Sequence, residues 1–207
     1  MVNFIILMAL GSAPTATVTD FFPMKPGASY VYEENYNGLI DKIVDTFGTQ
    51  GSMGRFNDVI AITTKIPNLP NQFTYYRIQG NDVQLVAFVD SRPLDKPMPV
   101  ISFTGKKTDW TWKGAVDYGR GDWKVTLKGK AVLGKNQSVF GADRQMLQVD
   151  LTMQIEMSPQ EIINLQRQDI YASGLGLFST NEKTELNEVK ASRTRKLLSF
   201  DLSGDPK

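Results

Sequence analysis

The chain has 207 residues, of which 41% are hydrophobic and 22% charged, and its formal net charge is +1. This is the composition of an ordinary globular domain, with no long-range field to draw in nucleic acid. It contains neither cysteine nor histidine. That excludes disulfides, thiolate metal sites, cysteine nucleophiles and any serine–histidine–acid triad, and leaves catalysis only carboxylates, lysine, tyrosine or a carboxylate-held metal.

In chain order, the first signal is the apolar run Phe4 to Leu10, followed by small residues. It fits a signal-peptide core in residues 1–16, cleaved near Ala13 or Ala16, and with it a periplasmic or secreted location; an N-terminal strand is the alternative. Residues 17–203 then form the expected single β domain. No stretch is long enough to span a bilayer. Ala28 to Tyr36 places Tyr30, Tyr32 and Tyr36 on one β surface, and Asp58 to Lys65 is rich in β-branched residues. Phe73 to Gln79 and Asp82 to Val89 flank Gly80-Asn81, a hairpin-turn dipeptide. Pro67, Pro70, Pro93, Pro97 and Pro99 are expected to bracket loops, with 90–100 the longest irregular connection. Lys124 to Leu133 alternates apolar and polar residues across Gly129.

Leu147 to Met157 reads LQVDLTMQIEM, with every second residue apolar. Side chains alternate faces along a strand, so Leu147, Val149, Leu151, Met153, Ile155 and Met157 form one dry face that something must cover. Ser158, Pro159 and Glu161 then stand at the N-cap, N1 and N3 positions of an expected short helix ending near Gln168. Ile170 to Phe178 and Val189 to Leu202 are expected as closing strands, and the tail Ser203 to Lys207 as frayed. The pattern is a mainly β antiparallel meander with one or two short helices.

Three segments carry a resemblance. DFFPMKPGASYVYE (Asp20 to Glu33), KTDWTWKG (Lys107 to Gly114) and DIYASGLGLFSTNE (Asp169 to Glu182) resemble, in this order, the opening, the tryptophan strand and the late glycine signature of a large group of bacterial exported domains. Met24 and Tyr30 stand where that group has Leu and Trp. The group is similar to the LolA-like, lipoprotein carrier-like family. The resemblance implies a strongly curved antiparallel half-barrel, with helices over an apolar hollow, and an acyl chain or other apolar small molecule as ligand.

The expected function is therefore non-enzymatic binding of an apolar ligand on the concave face, through Trp112, Leu151, Met153, Ile155 and Phe178. Methionine suits such a wall because its thioether adapts to irregular shapes. A second reading is a carbohydrate- or protein-binding module that uses Trp110, Tyr118 and Trp123 at the surface; the same aromatics also fit a core wall. Arg120-Gly121-Asp122 reads as a turn. Gly174 and Gly176 lack the following helix that a phosphate loop requires. Lys190, Arg193, Arg195 and Lys196 form a basic run expected to pair with Glu182, Glu185 and Glu188 on a solvated hairpin face, a phosphate-binding strip being the alternative. Glu33 and Glu34 point to opposite faces of a strand and cannot act as a glycosidase pair. No catalytic constellation, metal site, cofactor or nucleic-acid partner is expected.

Overall fold

The computed structural model describes residues 16–87, 92–117 and 122–204. The apolar run at Phe4–Leu10, Tyr118 and the Arg120-Gly121 pair lie outside them. Among the described residues, no helix is long and apolar enough to cross a membrane.

Among the described residues a four-residue helix, α1 (Val18–Phe21), precedes twelve strands. They are β1 (Ser29–Tyr36), β2 (Leu39–Met53), β3 (Phe56–Lys65), β4 (Gln72–Gln79), β5 (Asp82–Ala87), β6 (Pro93–Ser102), β7 (Lys107–Asp117), β8 (Asp122–Val139), β9 (Ala142–Ser158), β10 (Glu161–Ala172), β11 (Gly176–Leu186) and β12 (Val189–Asp201). All belong to one sheet in the order β6-β5-β4-β3-β2-β1-β12-β11-β10-β9-β8-β7. Each strand pairs antiparallel with its chain neighbour, except that β12 returns to β1 in place of a β6–β7 ladder. The strands β6 and β7 nevertheless lie side by side, and Trp110 Nε1 donates to Pro99 O across 3.0 Å. The strongly curved antiparallel sheet read from the sequence is present, and it closes further than a half-barrel, into a nearly closed twelve-stranded barrel with one unladdered seam.

Hairpin turns set this path. At Asn37-Gly38 and Phe140-Gly141 both central residues have positive φ, the I′-type geometry whose twist matches the flanking strands. Because neighbours are antiparallel, successive connections alternate between two ends of the barrel. One end carries the turns at 54–55, 80–81, 140–141 and 173–175, together with α1. This end is filled. Phe21 meets Phe103 edge-on at 5.8 Å, and Phe22 lies among Phe47, Tyr76 and Tyr171. The Thr17 N–H donates to Asp20 Oδ2, and Gly174 N–H donates to Asp20 O, so α1 is capped and tied to the β10–β11 turn. The other end carries the tips at 37–38, 159–160 and 187–188 and the connection at 66–71.

Several expectations are corrected. Ser158 to Gln168 is not a helix: Ser158 ends β9, Pro159 and Gln160 make the turn, and Glu161 opens β10. Proline with a fixed φ serves the first position of a turn as well as the first turn of a helix. Ile170 to Phe178 is not one strand, because Ser173, Gly174 and Leu175 turn the chain between β10 and β11. Pro67 and Pro70 do lie in a connection, but Pro93, Pro97 and Pro99 lie in β6, a strand at the seam. Pro99 turns its carbonyl, and with it its hydrogen-free nitrogen, away from the β5 ladder, so no ladder bond is lost there.

Candidate ligand cavity

Residues directly opposed in an antiparallel ladder share a face, so the register carries the inward face from strand to strand. Leu147, Val149 and Leu151 of β9 are buried and face in. Tyr171 opposes Leu147; Asp169 opposes Val149; Arg167 opposes Leu151. Continuing around the sheet, Asp169 meets Thr180, which meets Arg195, which meets Glu34. One step toward the tips, Arg167 meets Glu182, then Arg193, then Tyr36. The inward face is thus apolar on β9 and becomes a charged belt on β10, β11, β12 and β1.

Two networks hold this belt. Asp169, only 2% exposed, accepts from Arg167 Nε at 2.8 Å, from the Thr180 hydroxyl at 2.7 Å and from the Tyr171 hydroxyl at 3.3 Å. Arg195 donates to Glu34 Oε2 through both Nε and Nη2, at 3.0 and 2.7 Å, and through Nη1 to Asp45 at 3.1 Å. Asp45 also accepts from the Thr64 hydroxyl at 2.6 Å. Between these networks Arg193 Nη2 donates to Glu182 at 2.7 Å, while its buried Nε and the buried Tyr30 hydroxyl have no partner among the described residues. Buried charges persist only when paired in this way, since an isolated ion in a low-dielectric interior is costly.

Against this belt lies a cavity of about 290 Å3. A single water needs only roughly 10–15 Å3, so the space is large enough for a small molecule. Toward the α1 end it is apolar and aromatic, lined by Phe22, Tyr30, Phe47, Ile62, Tyr76 and Leu177. Toward the tips it presents Arg167, Arg193, Arg195 and Asp45. Burial pushes the Tyr30 hydroxyl up to about 12 and raises Tyr32, Tyr76 and Tyr171 as well. Burial also raises Asp45, against the pull of Arg195 and the Thr64 hydroxyl. For Arg167 burial works against the charged form, but the Asp169 charge and hydrogen bond outweigh it and hold the guanidinium protonated.

The residues expected to form the site are placed differently. Trp112 and Leu151 are buried in the core, and Met153, Ile155 and Phe178 are half-buried beside it. None of these five is among the cavity's lining residues. Trp110 and Trp123 are half-buried, and Tyr118 lies outside the described residues. The Trp110 ring covers Gly129, leaving no room there for a Cβ, and its N–H is engaged at the seam. Arg193 and Arg195 do pair across to Glu182 and Glu34, but they turn into the barrel and not onto a solvated face; Lys196 points out. Among the described residues no group of acidic side chains is arranged to hold a metal ion.

No protein-family model matches the chain, and no curated protein matches it in sequence. Two solved structures are similar to it. One is a candidate exported protein with a YmcC-like fold from Bacteroides fragilis, 12% identical, with 87% of this chain and 98% of that one covered and a TM-score of 0.44. The other is a candidate lipoprotein from Parabacteroides distasonis, 12% identical, with 88% and 99% covered and a TM-score of 0.40. The LolA-like resemblance is shown by neither, and at these scores neither assigns a ligand or a role.

Proposed function

We propose that this protein is a non-enzymatic binding protein for a small amphiphile, an acyl chain or a molecule of similar shape, taken up inside the barrel. The observation that carries this reading is the cavity of about 290 Å3 with one apolar, aromatic end and one charged end. The apolar part of the ligand lies against Phe22, Phe47, Ile62 and Leu177; its polar end faces the arginines. Ligand sites are commonly concave and mostly apolar, with a few fixed polar groups that set orientation. The reading keeps the apolar ligand expected from the sequence and moves it from the β9 face to the cavity between β2, β4 and β10 to β12. Action outside the cytoplasm belongs to the same reading, supported by the Phe4–Leu10 run and the small residues after it.

The test is solvent extraction of the purified protein followed by mass spectrometry, with dodecanol offered to the stripped protein in a second step. A co-purifying amphiphile or saturable dodecanol uptake is expected. Failure of both overturns the reading.

A further inference from the structure

We propose that Arg167 anchors the ligand's head group, and that this head is a single oxyanion with paired terminal oxygens, a carboxylate or a phosphate monoester. This rests on the amphiphile-binding reading above and names the chemistry of the ligand's polar end. Three arginines line the cavity, and they are not equivalent. All three side-chain nitrogens of Arg195 are engaged, by Glu34 and Asp45. Arg193 donates through Nη2 to Glu182. Arg167 donates only through Nε, to Asp169. Among the described residues neither of its two Nη groups has a protein acceptor, and the side chain keeps 28% of its exposure. It therefore offers the planar two-donor edge that matches a carboxylate or phosphate bidentately.

The fork is held in place from behind. Asp169 fixes Nε and is itself fixed by Thr180 and Tyr171, so the guanidinium is oriented before any ligand arrives. The charge distribution points the same way. Among the described residues three guanidiniums and one carboxylate, Asp45, line the cavity, while Asp169, Glu34 and Glu182 face the interior beside them without lining it. The apolar end with Phe22 and Tyr76 belongs to the same cavity, which leaves room for the rest of an amphiphile.

The experiment is isothermal titration calorimetry at neutral pH with dodecanoate, dodecyl phosphate and dodecanol, each kept below its micelle concentration. Three proteins are compared: wild type, Arg167→Lys, and the double variant Arg167→Met with Asp169→Asn, which leaves no orphaned charge. A charge-assisted bidentate pair corresponds to roughly tenfold or more in affinity. Wild type is expected to bind at least one anion about tenfold more tightly than dodecanol, and the order of the two anions identifies the oxyanion. The double variant is expected to unfold cooperatively in a thermal melt, which shows it folded, and to bind neither anion more tightly than dodecanol. Should it not bind dodecanol, Arg167→Lys decides: a preference reduced severalfold supports the anchor, and an unchanged one overturns it. Equal binding of all three probes by wild type, or a preference that survives in the double variant, overturns the anchor and leaves the cavity reading standing. Binding of none of the three by wild type overturns the cavity reading, and the anchor with it.

Discussion

Replacing Asp169 by alanine removes the acceptor at the centre of the β10–β11 network. Three donors lose their partner at once: Arg167 Nε, the Thr180 hydroxyl and the Tyr171 hydroxyl. Removing one partner of a buried ion pair costs about 3–5 kcal/mol, because the other charge is left uncompensated. Arg167 is open to the cavity and rehydrates in part, which puts the ionic share near the lower figure. The stranded Thr180 and Tyr171 hydroxyls are both buried, and each unsatisfied group costs about 1 kcal/mol or more. A total of about 5 kcal/mol follows, and in a chain of this size each kcal/mol moves Tm by roughly 2–4 °C, giving a fall of about 10–20 °C. Urea unfolding followed by tryptophan fluorescence measures it. Asp169→Ala combined with Arg167→Met is expected to be more stable than Asp169→Ala alone, since the orphaned cation is gone. A loss below about 1 kcal/mol, or a double variant as unstable as the sum of the two singles, refutes the reasoning.

Other consequences concern the seam, the sheet and the buried phenols. Trp110→Phe removes the bond to Pro99 O that links β7 to β6 and is expected to cost about 1 kcal/mol, with faster amide exchange in β6 and β7 than elsewhere in the barrel. Gly129→Val sets a side chain where an added Cβ lies 2.1 Å from the Trp110 ring; the overpacking costs about 1–3 kcal/mol in a thermal melt, and addition of Trp110→Ala recovers part of it. In an absorbance titration at 295 nm, Tyr30, Tyr32, Tyr76 and Tyr171 are expected to stay protonated past pH 10 while the protein is folded. Their folded values lie above the unfolded one, so the stability they support is intact below about pH 10 and is lost as pH rises toward 12. Ionisation of all seven tyrosines together near pH 10 in the folded protein contradicts this.

The parts of the fold legible in the sequence were those where inward positions are apolar. The β9 strand announces itself because Leu147, Val149 and Leu151 face the core while Gln148 and Asp150 do not. Gly80-Asn81 marks the β4–β5 hairpin by turn chemistry alone. The strand β10 was not legible, because its inward positions include Arg167 and Asp169 and its middle reads as a solvated stretch. The strand β12 was legible, as Val189 to Leu202, but its inward face was not: Arg193 and Arg195 read as solvated and face in, in phase with buried Leu197. That phase was the available signal. In Arg167-x-Asp169-x-Tyr171, Arg193-x-Arg195-x-Leu197 and Tyr30-x-Tyr32-x-Glu34, charges fall on the same alternate positions as large apolar or aromatic residues. In β6 three prolines argued for a loop, and only its place at the seam, with one side outside any ladder, makes a strand there possible.

A ligand held between the aromatic lining and the arginines occupies the space that a bulky side chain from β4 would fill. Native mass spectrometry of the protein mixed with dodecanoate tests it most directly, beside Thr74→Trp, which places an indole in the cavity from β4. A one-to-one complex is expected with wild type and none with Thr74→Trp, while the variant's charge-state distribution stays that of a folded protein. No complex with wild type, or an equal complex with the filled variant, contradicts it.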